Sequence, residues 1–137
     1  MGIRRRGREL ALQALYQIEI TGDASPAPLE LFWSYFEGNV KARDFARRLV
    51  AGVVMNREKI DQLIEQSTDH WKLSRMPKVD LTILRLASYE LLFCPDIPLN
   101  VSIDEAIEVS KRFSSEDSAT FINGVLDHVA ASSGAKD

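Results

Sequence analysis

The chain begins with a cluster of arginines. The first eight residues hold four arginines and no acidic residue: Arg4, Arg5, Arg6 and Arg8, here called the arginine cluster. The whole chain carries a net charge of −3 at pH 7, so positive charge is concentrated at this end. A guanidinium group is always charged, and its planar fork of donors matches the oxygens of a phosphate. The cluster therefore predicts a polyanionic partner, RNA or DNA, with a disordered basic arm as the alternative interpretation.

The residues after the cluster repeat with a helical period. At about 100° per residue, one side of the helix carries Leu10, Ala11, Ala14, Leu15 and Ile18. The opposite side carries Arg5, Arg6, Glu9, Gln13 and Tyr16. We therefore predict an arginine-rich helix over residues 3–20, on which the Tyr16 ring stacks on an unpaired base while the guanidinium groups hold phosphates. The alternative is that Tyr16 packs against a neighbouring helix.

Size and composition indicate one domain without enzymatic chemistry. The chain has 137 residues, of which 45% are hydrophobic, so residues 1–137 are expected to form a single domain with its own core. The lone Cys94 excludes an internal disulfide, and no phosphate-binding loop, nucleophile elbow, Cys-x-x-Cys or His-Glu-x-x-His motif is present. We expect no catalytic residue, cofactor or metal. No signal peptide or membrane span is evident, which predicts a cytoplasmic protein with no membrane partner.

The rest of the chain predicts an all-α fold of about seven helices. Helix boundaries are expected in residues 21–28, at Asn39, at Asn56, at Pro77 and near residues 114–117. Residues 79–92 are apolar around most of the helix circumference, which is typical of a helix buried on several sides. The spacing of Ser102 and Glu105 predicts a capping box at the start of the following helix. The polar residues 132–137 are expected to form a frayed tail.

Two adjacent residues of the last helix stand out from its apolar pattern. Glycine at position 124 lowers the stability of the helix by up to about 1 kcal/mol relative to alanine. We therefore expect that another backbone packs close to Gly124, where a side chain would not fit. The neighbouring Asn123 is expected to bond either a buried carbonyl or the edge of a base. Asn123 is therefore included among the candidate RNA-binding residues.

Four blocks of the chain resemble the NusB family, in the family's order. They are residues 5–16 (RRGRELALQALY), 80–91 (DLTILRLASYEL), 97–113 (IPLNVSIDEAIEVSKRF) and 116–126 (EDSATFINGVL). The resemblance implies an all-helical fold of two packed three-helix units and no catalysis. It also implies an antitermination factor that binds the boxA RNA of ribosomal RNA leaders together with NusE, a small-subunit ribosomal protein, within the RNA polymerase antitermination complex.

The resemblance also assigns residues to surfaces. It implies that the arginine cluster and Tyr16 lie at the RNA surface with Asp117 and Phe121, and that Asp80 and Leu84 belong to the NusE side. Two other functions stay open: the RNA-binding helical domain of a ribosomal RNA cytosine methyltransferase, and a helical adaptor that binds only proteins. The oligomeric state also stays open, because members of the family exist as monomers or as homodimers that cover the RNA surface.

Overall fold

The computed structural model describes residues 2–35, 38–69 and 71–133. Within them the chain forms a short 3₁₀ turn at Leu73–Arg75, no strand, and seven α-helices. The helices are α1 (Ile3–Thr21), α2 (Pro26–Tyr35), α3 (Val40–Met55), α4 (Arg57–Gln66), α5 (Lys78–Phe93), α6 (Leu99–Phe113) and α7 (Glu116–Ser132). The all-α prediction is confirmed. Each helix in these ranges is too short or too polar to span a lipid bilayer. The predicted tail at residues 132–137 lies largely outside the described residues.

Local sequence explains where several helices begin and end. The Asn39 side chain accepts hydrogen bonds from the backbone N–H groups of Lys41 and Ala42, and so satisfies two donors that the first turn of α3 leaves free. Ser115 caps α7 by accepting one hydrogen bond, from the backbone N–H of Ser118. Helix α1 ends at Gly22, whose φ of 72° lies in the left-handed region that glycine adopts without strain. The boundaries predicted at Asn39 and near residues 114–117 are confirmed.

Helix α5 is the centre of the fold. It contacts α1, α3, α4, α6 and α7, and its residues from Asp80 to Ser88 are all buried. Helices α1 and α3 pack on each other, as do α5, α6 and α7, and the two groups meet where α1 and α3 contact α5. The burial predicted for residues 79–92 on several sides is confirmed for most of the helix.

The capping box predicted at Ser102 is wrong. Pro98, with an extended backbone, precedes the first residue of α6, so the helix begins at Leu99 and Ser102 lies within it. The Ser102 hydroxyl instead donates a hydrogen bond to Glu90 Oε1 at 3.1 Å. Proline fixes the start of this helix earlier than the serine pattern indicates.

The close backbone approach predicted at Gly124 is also wrong, and a different glycine provides one. Gly124 is exposed, and a Cβ added there would meet nothing within 4 Å. A Cβ added at Gly7 would lie 2.9 Å from the backbone oxygen of Ala42 and 2.8 Å from Cδ2 of Phe45. Gly7 therefore lets α1 pack closely against α3.

Alanine at the two glycines is expected to have opposite effects. Gly7→Ala should lower the free energy of unfolding by about 1–3 kcal/mol, because the added methyl group must displace α3 or Phe45. Gly124→Ala, the matched helical control, should raise it by about 0.5–1 kcal/mol. Urea unfolding followed by circular dichroism measures both changes. Shifts of the same sign and size would contradict the close approach at Gly7.

Candidate nucleic-acid interface

One member of the arginine cluster points into the protein. Arg8 is 5% exposed, and its Nε and Nη2 donate to the two carboxylate oxygens of Glu90, each at 2.8 Å. Ser102 supplies a further hydrogen bond to the same carboxylate. Because this paired geometry uses the fork of the guanidinium group, Arg8 has little capacity left for a phosphate. Its placement differs from the RNA-facing position expected from the sequence.

Arg5, which is half exposed, pairs with Glu105 of α6 next to the buried Arg8. Its Nε donates to both oxygens of Glu105 at 3.2 Å, and Arg8 Nη1 lies 3.5 Å from that carboxylate. The hydrogen bond from Arg5 lowers the pKa of Glu105 despite partial burial, and both arginines add to this by charge attraction. Glu105 is therefore ionised at neutral pH and joins the start of α1 to α6.

The remaining arginines of the cluster are half exposed and loosely paired. Arg4 lies 3.3 Å from Asp96, and Arg6 lies 3.7 Å from Glu9. Asp96 is also held by Arg48, whose hydrogen bond lowers its pKa to about 2. An exposed pair such as that of Arg4 and Asp96 contributes about 0–1 kcal/mol, so an incoming phosphate competes with it at little cost. Arg4, Arg5 and Arg6 therefore remain accessible to an anionic ligand.

Tyr16 lies on the surface, where it borders a groove formed by α1, α5 and α6. The ring is exposed, and the groove, here called the Tyr16 groove, is lined by Leu12, Gln13, Tyr16, Val79 and Phe113. Its walls are mainly apolar, with Gln13 as a partly buried polar group. A flat aromatic face beside an apolar groove suits the stacking of a base.

A second groove contains an aromatic pair that the sequence analysis missed. Trp71 is 54% exposed, and its ring centroid lies 5.9 Å from that of Phe121. This groove, the Trp71 groove, is lined by Trp71, Met76, Pro77, Asp80, Asp117, Ser118 and Phe121. A tryptophan next to Lys72 in a polar connection between helices was the available signal, but its pairing with Phe121 depends on the tertiary fold. Asp117 is exposed and places a negative charge here.

The first turn of α5 contributes one residue to each of the two grooves. Val79 lines the Tyr16 groove, and the next residue, Asp80, lines the Trp71 groove. Asp80 is buried and accepts hydrogen bonds from the hydroxyls of Ser114 at 2.8 Å and Ser118 at 2.9 Å. Asp80 therefore ties α5 to the segment between α6 and α7. This contact helps to set the positions of the two grooves relative to each other.

The residues expected on a protein-partner side lie beneath the surface. Leu84 has no exposed area and is a core residue, which corrects its assignment to a partner surface. Asp80 lines the Trp71 groove but is itself buried, and its carboxylate is held by two serine hydroxyls. Asn123 lies on α7, two residues beyond Phe121, and is partly buried. In the part of the chain described, no group of three or more His, Cys, Asp or Glu side chains is arranged to hold a metal ion.

Replacement of Arg8 is expected to be far more damaging than replacement of Arg4. Arg8→Met should lower the free energy of unfolding by about 3–5 kcal/mol, because Glu90 would remain buried without its cationic partner. Arg4→Met, the matched control, removes a half-exposed arginine and should change it by at most about 1 kcal/mol. Chemical denaturation at neutral pH measures both. Similar losses in the two variants would show that the Arg8 pair is not a buried support.

Comparison with known proteins agrees with this architecture. The family model described as NusB family matches residues 5–131. The transcription antitermination protein NusB of Geobacter sulfurreducens is 53% identical over 133 residues, which cover 96% of each chain. The solved structure of T. maritima NusB has a TM-score of 0.85 and 41% identity, and the match covers 94% of this chain and 91% of that one. A structure of antitermination factors NusB and NusE in complex with dsRNA has a TM-score of 0.83 and 27% identity, with 96% and 98% covered. The chain belongs to the NusB family.

Proposed function

We propose that this protein is a cytoplasmic transcription antitermination factor that binds boxA-type RNA of ribosomal RNA leaders together with NusE. The observation that carries the proposal is a pair of grooves, each bordered by an exposed aromatic ring, of which the Tyr16 groove is lined by residues of α1, the helix that carries the arginine cluster. Relatives over nearly the whole chain are transcription antitermination proteins. One structural relative was solved with NusE and double-stranded RNA. Together these support RNA and NusE as the partners.

The chemistry of the grooves favours single-stranded RNA. Unpaired bases can leave the stack and lie on aromatic rings, whereas the bases of a duplex are hidden from such rings. In this proposal one base stacks on Tyr16 and another on Trp71 or Phe121. Arg4 and Arg6 exchange their long ion pairs for contacts with phosphates, while Arg5 stays paired with Glu105 and adds its exposed positive charge beside them. Gln13 and Asn123 are then candidates for hydrogen bonds to base edges.

The charge of the protein limits its affinity for RNA alone. The net charge is −3, and carboxylates partly neutralise every accessible arginine of the cluster. Asp117, which lies beside Phe121 in the Trp71 groove, opposes a phosphate there. We therefore propose that NusE supplies the additional contacts that make the complex with RNA stable. The complex then acts on the RNA polymerase that is transcribing the leader.

A titration with fluorescent RNA tests the proposed function. A single-stranded boxA-type oligonucleotide is compared with a scrambled strand and a duplex, with and without NusE, at several salt concentrations. We expect weak binding of the boxA strand alone and tighter binding with NusE. If three phosphates are contacted, the slope of log K against log salt should be about −2, from roughly −0.7 per contact.

Two results of that titration, and one of a separate methylation assay, would point elsewhere. No binding to any RNA, with or without NusE, would contradict the proposal. Binding of NusE with no effect of RNA would favour a protein-binding adaptor. Transfer of labelled methyl groups from S-adenosylmethionine to ribosomal RNA would favour the methyltransferase alternative.

Removal of the Tyr16 ring is expected to weaken RNA binding without unfolding the protein. Tyr16→Ala should lower the binding free energy by about 1–3 kcal/mol, because the stacking of one base is lost. Tyr35→Ala is the matched control, since Tyr35 is an exposed tyrosine on α2 that borders neither groove. Binding titrations give the affinities, and circular dichroism gives the helix content. An equal effect of the two variants would remove Tyr16 from the RNA surface.

A further inference from the structure

A buried carboxylate lies between two arginines from different helices. Glu9 of α1 is 2% exposed, although its position in the sequence pattern predicts a polar outer face. Arg112 Nη1, from the last turn of α6, donates to Glu9 Oε2 at 2.6 Å. Arg6 Nη1 lies 3.7 Å from the other oxygen, Oε1. Glu9 thus accepts a hydrogen bond from Arg112 and makes a longer ion pair with Arg6.

The Arg112 side chain contacts a carboxylate and an aromatic ring and is otherwise exposed to solvent. Its side chain is 53% exposed, and its guanidinium carbon lies 5.3 Å from the centroid of the Phe113 ring. A carboxylate and an aromatic ring therefore restrict the side chain before any ligand arrives. Since an arginine has five N–H donors and Glu9 receives one hydrogen bond from Arg112, donors remain directed to solvent. Such an arginine loses less conformational freedom when it binds an anion.

The location of Arg112 connects it to the Tyr16 groove. Phe113, over which Arg112 lies, lines that groove. Gln13, one helical turn after Glu9, lines it as well. An anion bound by Arg112 would therefore lie next to a base in the groove, as a nucleotide requires.

The charges of this group also favour an anionic ligand. Two arginines surround one carboxylate, so the group Arg6, Glu9 and Arg112 keeps a net positive charge of one. A clamp that only joined α1 to α6 would need one arginine. The second guanidinium group, that of Arg6, is half exposed and lies near the other oxygen of the same carboxylate, so positive charge is available on both sides of Glu9.

We infer that Arg112 binds a backbone phosphate of the RNA whose base occupies the Tyr16 groove, and that Glu9 is the positioning residue that orients it. This inference rests on the proposed function and adds to the RNA surface a residue about a hundred positions away from the arginine cluster. It also explains a buried carboxylate at a helix face that would otherwise repel RNA. Glu9 acts through Arg112 and Arg6 and does not itself meet the ligand.

Substitution of Arg112 by glutamine tests the inference against a closely matched arginine. Arg47 on α3 is 42% exposed, pairs with Glu30 at 3.1 Å, and its guanidinium carbon lies 5.5 Å from the centroid of the Trp33 ring. Like Arg112 it therefore contacts one carboxylate and one aromatic ring. It does not line the Tyr16 groove. Arg112→Gln should weaken binding of a single-stranded boxA-type RNA at low salt, and Arg47→Gln should leave it unchanged. The ratio of the binding constants of Arg47→Gln and Arg112→Gln should shrink about fivefold for a tenfold rise in salt, because one phosphate contact carries a slope of roughly −0.7 in log K against log salt.

Two further variants separate a contact from a structural role. The double variant Glu9→Gln with Arg112→Gln removes the buried charge together with its partner, so folding no longer depends on the pair. It should show native circular dichroism and the same loss of RNA affinity. Arg112→Lys keeps the positive charge but lacks the planar guanidinium group. This variant should bind RNA less tightly than the wild-type protein, with the same slope of log K against log salt. Full affinity in Arg112→Lys would overturn the positioning by Glu9.

The outcomes distinguish this inference from the proposed function. If the wild-type protein binds RNA and Tyr16→Ala weakens it, while Arg112→Gln matches Arg47→Gln, the inference about Arg112 is overturned and the proposed function stands. If the wild-type protein binds no RNA even with NusE, both are overturned. A folded double variant with wild-type affinity and salt slope would likewise overturn the phosphate contact.

Discussion

The paired hydrogen bonds between Arg8 and Glu90 are the constraint on which the rest of the structure depends. Both side chains are almost fully buried, so each charge would be strongly destabilising without the other. Their geometry uses Nε and Nη2 of the guanidinium group against both carboxylate oxygens, and Ser102 adds a third donor. The pair joins α1 to the central helix α5 at one defined height and rotation. Loss of either side chain alone would leave a buried charge, whereas apolar residues of similar size at both positions would keep the contact between α1 and α5.

A second buried arginine fastens the other end of α1. Arg85 of α5 donates to Asp61 of α4 at 2.8 and 3.0 Å and to Glu19 of α1 at 2.9 Å. Burial alone would raise the pKa of Glu19, but its hydrogen bond with Arg85 and the charges nearby lower it overall. With α1 held at both ends, the turns between these contacts keep Tyr16 on the exposed face of the helix. A preorganised surface of this kind loses less entropy when it binds RNA.

The sequence predicted local features well and long-range pairings poorly. Helical periodicity and the cap at Asn39 follow from residues close in the chain, so these predictions are confirmed. The exposure of Tyr16 followed from the same periodicity. Arg8 was grouped with its neighbours because nothing in the local pattern shows that Glu90, 82 residues away, will bury it. The pairing of Trp71 with an aromatic ring of α7 likewise exists only after the helices pack. Charge partners and aromatic pairs between helices depend on tertiary geometry that composition and spacing do not encode.

The most direct test of this account asks whether the buried pair supports the RNA surface or belongs to it. The double variant Arg8→Met with Glu90→Leu replaces both charges by apolar side chains, a change that proteins often tolerate when both partners are removed together. Its affinity for single-stranded boxA-type RNA is then measured over a range of salt concentrations beside the wild-type protein. We predict a folded protein with wild-type affinity and an unchanged salt slope. A folded double variant that binds RNA more weakly, with a slope less negative by about 0.7, would show that Arg8 contacts a phosphate and would contradict the account.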